Sequence, residues 1–431
     1  MPRMNRMMNR MNRMHGIGQG LWITFGSKMI RITLVILLEF AVALAYGQDY
    51  SMFQSRIKSM VEYGAIPDSA ERSKKINELW SSLQDADQIP LVIEDSVAFL
   101  YRGNAKTVEW TGDFNGWGYN KNVANKGRSI PGTDIWMFKA SFPKDARLDY
   151  KIVLSGRTLI LDPENIHQQW SGVGGGSPNS ELRMPDWKED PALVVRNDIA
   201  HGTVKEEILF NSQILGYQIT YSVYLPANYS AMGKLSSLYV TDGYEYMQPR
   251  LGNMITVLDN LVADKKIKPI IAIFIDHREP INRSNNKRMD ELAMNPRYLD
   301  FFTKEFIPFI ESHYPVEITS SSRAIMGSSM GGLSAAYFAF SKPGVFGMAG
   351  IQSPAFWVRP QIFTVCDSPD HPIKVSMTSG LISDASESSR KMKGILQANA
   401  CQYHYLEVND GASWGNWRNL IDDVLVDLFG N

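Results

Sequence analysis

The stretch Arg323–Ala336, RAIMGSSMGGLSAA, allows few backbones. A β-compatible apolar run, SSRAIM, enters a glycine–serine corner, and a run of helix formers, GGLSAAYFAF, leaves it. The corner fits G-x-S-x-G with Ser329 at its centre. A serine so placed sits on a strained strand-to-helix turn, where glycines remove side chains that would clash. The context predicts a nucleophile elbow; the plainer alternative is an ordinary glycine-rich turn.

The surrounding residues repeat the alternation. Strands are expected at EEILF, QITYSVYLP, LSSLYVTD, IKPIIAIFID, SSSRAIMG, VFGMAGIQS, IKVSMTSG and YHYLEVND. Helical stretches lie between most of them, including 298–312, 332–340 and 386–400, and 417–429 closes the chain. This pattern over 204–431 predicts a mostly parallel sheet covered on both faces. Functional groups on such sheets lie on loops past the strands' carboxyl ends.

The 431 residues are too many for one ordinary domain. Residues 51–83 show apolar helical spacing, interrupted at Gly64-Ala65-Ile66-Pro67. We therefore take 49–89 as a helical segment. From Pro90 the period becomes two, and short strand-like runs separated by Gly, Asn, Pro and Asp predict a small β-sandwich over 90–186. A polar linker, 187–203, follows. The start of the chain reads differently. A basic flank, the short apolar run Ile32–Ala45 and small residues at Ala43 and Ala45 read as a signal peptide over 1–48, with an N-terminal anchor as the alternative. Initiation at an internal methionine such as Met29 fits the long basic region. No stable membrane span is expected after signal removal, and the mature chain is expected outside the cytoplasm, periplasmic or extracellular. Cys366 and Cys401 are the only cysteines, either paired or two separate thiols.

Acyl transfer at Ser329 needs an oxyanion hole. One donor is the N–H of Met330, directly after the nucleophile. The second is expected from the turn in VTDGYEYM, at Gly243 or Tyr244; a plain D-G turn is the alternative. The acid is expected past the strand in VSMTSGLISDASE, at Asp384, whose plainer role is in a helix N-terminus.

With these residues placed, the second domain resembles the enterochelin-esterase or esterase-D branch of the α/β-hydrolases. The carriers are YLPANY (224–229), TDGYEYM (241–247), RMDEL (288–292), FIPFI (306–310), IMGSSMGGLSAA (325–336), QSPAFW (352–357) and SWGNWR (413–418). The first domain resembles the immunoglobulin-like E-set module that precedes the hydrolase in siderophore esterases, through FLYRG, TGDFNGW, DARLDYK and DPEN. The resemblance implies Arg288 and Glu291 near the site, and a catalytic histidine in a segment like G-H-x-W-x-x-W-R. Here that segment is DGASWGNWR, with Ala412 at the histidine position.

A serine hydroxyl is a poor nucleophile without a base, and a methyl group carries no proton. Among the other histidines, His404 alternates with tyrosines in a strand, His313 ends a helix, and His371 lies at the wrong sheet edge. His277 follows IAIFID at the same edge as Ser329 and is the substitute base to test, against a reading as a solvated loop histidine. Trp357, Trp414 and Trp417 are expected around an acyl or sugar pocket, with at least one serving as core packing.

No metal cluster or phosphate loop is present in the pattern, so no cofactor is implied. A net charge of −1, without a basic face, argues against nucleic acid. The expectation is an exported serine esterase acting on a siderophore ester, or on an acetyl or feruloyl ester of a polysaccharide. Its partner would be an ester-bearing small molecule or glycan. The alternatives are an esterase-like binding protein and a sugar acyltransferase.

Overall fold

The computed structural model describes residues 50–172, 178–366 and 373–431. The expected signal segment and His371 lie outside them. The chain divides into two compact units, Met1–Ser55 and Arg56–Asn431. In the first, described residues 50–55 are helical. All that follows concerns the second.

Residues 56–64 are helical, and α1 (Ser69–Asp85) follows the break expected at Gly64–Pro67. Asp68 caps α1 by accepting the Glu71 N–H, which satisfies one of the orphan donors of a helix start. Ile76, Leu79, Trp80 and Leu83 form its buried stripe.

Nine short strands follow among the described residues: β1 (Leu91–Ile93), β2 (Ser96–Arg102), β3 (Val108–Gly112), β4 (Arg128–Ser129), β5 (Ile135–Ser141), β6 (Arg147–Leu154), β7 (Thr158–Ile160), β8 (Gln168–Gln169) and β9 (Asn179–Arg183). They form two antiparallel sheets, ordered β1-β2-β5-β4 and β3-β6-β9-β8, with β7 on β6. Alternate residues from both sheets meet in one core around Phe99, Trp110, Phe138, Leu148, Tyr150 and Leu182.

The rest is built on one eight-stranded sheet. Its strands are β10 (Thr203–Asn211), β11 (Gln218–Leu225), β12 (Ser236–Val240), β13 (Ile270–Asp276), β14 (Arg323–Ser328), β15 (Met348–Gln352), β16 (Lys374–Gly380) and β17 (Gln402–Val408). The spatial order is β10-β11-β13-β12-β14-β15-β16-β17. β10, β11 and β13 pair antiparallel, and every pair from β13 to β17 is parallel. The helices in chain order are α2 (Gly243–Met247), α3 (Met254–Ala263), α4 (Arg288–Leu292), α5 (Pro296–Phe301), α6 (Ile307–His313), α7 (Met330–Ser341), α8 (Ile362–Val365), α9 (Ser386–Ala398), α10 (Trp414–Arg418) and α11 (Ile421–Phe429). The expected helix over 298–312 is helical but carries a π turn, Phe302–Phe306, ahead of Pro308, whose missing N–H cannot continue the ordinary ladder.

Parallel strands need apolar cover on both faces. One face packs against α5 to α9, with Phe302, Phe306, Leu333, Phe338 and Met392 fully buried. The other packs against α3 and α11, with Leu258, Leu261, Val424 and Leu425. The parallel order sends the carboxyl ends of β12 to β17 to one edge, where the loops carrying Thr241, His277, Ser329, Ser353, Asp384 and Ala412 all begin. Among the described residues no helix is long and apolar enough to cross a membrane.

Candidate active site

Ser329 lies between β14 and α7 with φ 53° and ψ −112°. A side-chain-bearing residue at this φ is strained, and the strain persists only where the surroundings impose it. They do so here. The Ser329 N–H donates to the Gln352 carbonyl at 2.9 Å, and its own carbonyl accepts from Ala355 at 2.9 Å. Close packing sets the rest: a Cβ at Gly327 would lie 2.1 Å from Thr241 Oγ1, and one at Gly331 would lie 2.4 Å from the same atom. Either alanine would push the elbow off the neighbouring turn.

That neighbouring turn is Thr241-Asp242-Gly243. The Thr241 N–H donates to Met326 at 2.9 Å, which brings the end of β12 beside the elbow. Asp242 takes φ 56° and ψ 33° and starts α2. The N–H groups of Gly243 and Tyr244, like that of Met330, belong to the first turn of a helix, where no intrahelical acceptor exists. Both turns thus present free donors at the same edge. Arg288 secures the arrangement, donating to both carboxylate oxygens of Asp242 at 2.6 and 2.8 Å and to the Ser328 carbonyl at 3.3 Å.

His277 is buried, and both ring nitrogens are engaged. Nδ1 bonds Glu291, and Nε2 accepts the Asp242 N–H at 3.2 Å. Burial lowers its pKa; the Glu291 hydrogen bond and charge, with Asp242, outweigh this and raise it. Its basic lone pair is spent on the backbone, so the expectation of a substitute base is corrected: His277 positions the Asp242 turn. No described group hydrogen-bonds the Ser329 hydroxyl. Arg288 and Glu291, expected at the substrate, are both engaged by other residues of the protein. Arg288 is bound to Asp242. Glu291 is buried between His277 and the Tyr217 hydroxyl, which donates to it at 2.7 Å.

Asp384 stands two loops along. Its Oδ2 accepts from Ser353 Oγ and from the Gly380 N–H, both at 2.6 Å. Its Oδ1 is shielded from solvent and has no partner. Burial raises this carboxyl's pKa, partly offset by those bonds. Ala412 itself is exposed, inside the segment 410–414.

The sandwich holds this segment. Arg147 is fully buried and pairs with Asp149 at 2.5 Å and Glu181 at 2.6 Å. Its Nη1 donates to Ser413 Oγ at 2.7 Å, and its own N–H donates to Asp410 Oδ1 at 3.1 Å. A Cβ at Gly415 would fall 1.8 Å from Arg147 Cζ. Asp113 closes the other side: a Cβ at Gly411 would lie 2.1 Å from its Cγ. Burial first, then Asp149, pushes the Asp113 pKa up to about 8. Nothing local in the sequence marks Arg147 or Asp113 as partners of residues some 260 to 300 positions away.

Of the three tryptophans, Trp414 is core. It is 1 % exposed, packs edge-on to Tyr246 and Trp417, and donates from Nε1 to Glu245 at 2.8 Å. Its place as a pocket wall is corrected. Trp417 is half-buried and Trp357 is 59 % exposed. Cys366 and Cys401 are both free thiols, so the pairing alternative is set aside.

Residues 212–428 match the protein family described as "Putative esterase". The YjcH protein of Bacillus subtilis, itself uncharacterized, is 27 % identical over 238 residues, spanning 52 % of this chain and 97 % of its own length. An endo-1,4-beta-xylanase/feruloyl esterase of Xylanibacter ruminicola is also 27 % identical over 238 residues; that match covers 53 % of this chain and 31 % of that protein. Among solved structures, the ferric enterobactin esterase of Salmonella typhimurium superposes with a TM-score of 0.64 at 17 % identity, covering 77 % of this chain and 93 % of that one. At this identity the likeness is one of α/β-hydrolase-type fold.

Proposed function

The chain belongs to the esterase family, and from that premise we propose that it is a serine-dependent carboxylic-ester hydrolase of low turnover, exported, with an ester-bearing small molecule or glycan as ligand. The observation that carries this reading is the unpartnered Oδ1 of Asp384 together with a Ser329 hydroxyl that no described group bonds. The residue that would link them is Ala412. Ser329 Oγ attacks the ester carbonyl. The N–H groups of Met330 and of Gly243 or Tyr244 stabilise the oxyanion. With the base removed, oxyanion stabilisation and binding retain roughly 10³–10⁴-fold over water.

The names of the similar proteins supply two ester classes, a siderophore lactone and a feruloyl ester on a polysaccharide. The structural match extends past residues 212–428, which supports reading the sandwich as the E-set-like module that accompanies the hydrolase. A second reading, an ester-binding protein without turnover, draws on one observation: His277 is locked at both nitrogens. Hydrolysis of p-nitrophenyl acetate by purified mature chain separates the two, with Ser329→Ala as control. Slow release lost in Ser329→Ala supports the hydrolase. Release that is unchanged in Ser329→Ala contradicts it.

A further inference from the structure

We infer that the amino edge of the eight-stranded sheet carries a binding groove for an acidic polysaccharide, separate from the ester site. The groove has two lobes. The larger, about 640 Å³, is lined by Ser236, Met348, Lys374 and Gln402, the first residues of β12, β15, β16 and β17, together with Lys268 and Ser320. The smaller, about 450 Å³, is lined by Lys265, Lys266, His404 and Asp427. Lys374, Gln402 and Gly430 line both lobes, so the two join there. Ser329 and its neighbouring loops lie past the carboxyl ends of the same strands, at the opposite edge.

The charge of this groove is one-sided. The whole chain has a formal net charge of −1, yet four lysines meet here, three from the turn before β13 and one from β16. None of the four forms an ion pair with a described carboxylate. Lys265, Lys266 and Lys268 are exposed. Lys374 Nζ lies 3.4 Å from the carbonyl of Leu428, which lines the larger lobe. No acidic side chain lines that lobe among the described residues. In the smaller lobe Asp427 is already bonded, to His404 Nδ1 at 2.6 Å and to Ser376 Oγ at 2.7 Å. The terminal carboxylate of Asn431 is the other acidic group there, so the balance stays positive. A concave surface of one sign draws a ligand of the other.

The lining selects the class of anion. Two joined lobes accept successive charged units of a chain, where a single ion would leave most of the lysines unmatched. Ser236, Ser320 and Gln402 offer hydroxyl and amide groups to sugar hydroxyls. Single-stranded nucleic acid needs open aromatic faces on which bases stack. The rings at this groove are not open: Phe429 is 6 % exposed, and Tyr403 packs against the core. A chain of uronic acids fits both the charge and the polar lining.

Calorimetric titration of the full chain with sodium polygalacturonate tests this. Wild type is compared with a groove triple, Lys265→Gln, Lys266→Gln and Lys268→Gln combined. The control triple is Lys106→Gln, Lys121→Gln and Lys139→Gln, which removes equal charge from exposed positions of the sandwich region. Exposed substitutions of this kind leave folding intact. Wild type should bind, the groove triple should bind about tenfold more weakly or worse, and the control triple should stay within about twofold of wild type. The salt dependence of log K should flatten by about one unit of slope per groove lysine removed. Uncharged dextran should not bind. Any p-nitrophenyl acetate hydrolysis should be equal in wild type and groove triple, so the groove and the ester site stand or fall separately. Absence of binding by wild type would overturn the inference. So would equal losses in the two triples, which mark net charge alone, or dextran binding as tight as polygalacturonate. Displacement of the polymer by an equal charge concentration of inorganic phosphate would mark a site for single anions and overturn it. Tighter binding of a single-stranded oligonucleotide of equal charge would assign the groove to nucleic acid instead.

Discussion

Arg147 Nη1 and Ser413 Oγ meet at 2.7 Å across 266 positions of sequence, so a residue of the sandwich fixes the loop that carries Ala412. The loop is held although Ala412 carries no functional group. Ser329 and Asp384 lie on neighbouring loops at the same sheet edge.

Replacing Arg147 tests that clamp. Arg147→Ala leaves Asp149 and Glu181 buried without their main partner and frees Ser413. Breaking one side of a buried ion pair costs about 3–5 kcal/mol. Urea denaturation should show a loss of that order. A loss under 1 kcal/mol would mean that the clamp is not holding the two domains.

His277→Ala removes the acceptor of the Asp242 N–H and a partner of buried Glu291. The expected cost is about 2–4 kcal/mol. Residual ester hydrolysis should fall because the oxyanion turn loosens, with the midpoint of its pH profile unmoved. Disappearance of that midpoint would make His277 the base after all.

Among the buried carboxyls with raised pKa values, three reach about 8 or 9: Asp113 and Glu245 about 8, and Asp422 about 9. In each, burial is the main cause. The folded state holds protons that the unfolded chain releases near pH 4. Their stabilising contribution is therefore full below about pH 4 and is lost as pH rises through 8 to 9. The urea midpoint should fall from pH 5 to pH 9, each group contributing up to about 1.4 kcal/mol per unit. Glu181, whose pKa is lowered, acts in the opposite sense but alone among the buried site carboxyls named here. A midpoint that climbs over this range would contradict the account.

The legible part of this molecule is its local part. The G-x-S-x-G corner dictates its own backbone, and Ser329 adopts a φ of 53° as the glycines around it require. Strands β12 to β16 were readable because a parallel sheet demands continuous apolar runs, and β10 and β11 because their residues alternate. The place of Asp384, just past β16, was readable because it follows one such run. Arg147 and Glu245 were not. In sequence each is a charged residue in an ordinary strand or helix, and only pairing with residues 413 and 414 reveals its role. His277 misled for the same reason. Its edge was correct, but the bonds that occupy both nitrogens come from residues 242 and 291.

The central claim is that everything needed for ester hydrolysis is in place except the imidazole at 412. The most direct measurement is the rate of p-nitrophenyl acetate hydrolysis by Ala412→His relative to wild type, with Ser329→Ala in the same background. The account predicts a gain of roughly 10²–10⁴-fold, the range for general-base catalysis, abolished by Ser329→Ala. No gain in a folded Ala412→His protein, or a gain that survives Ser329→Ala, would contradict it.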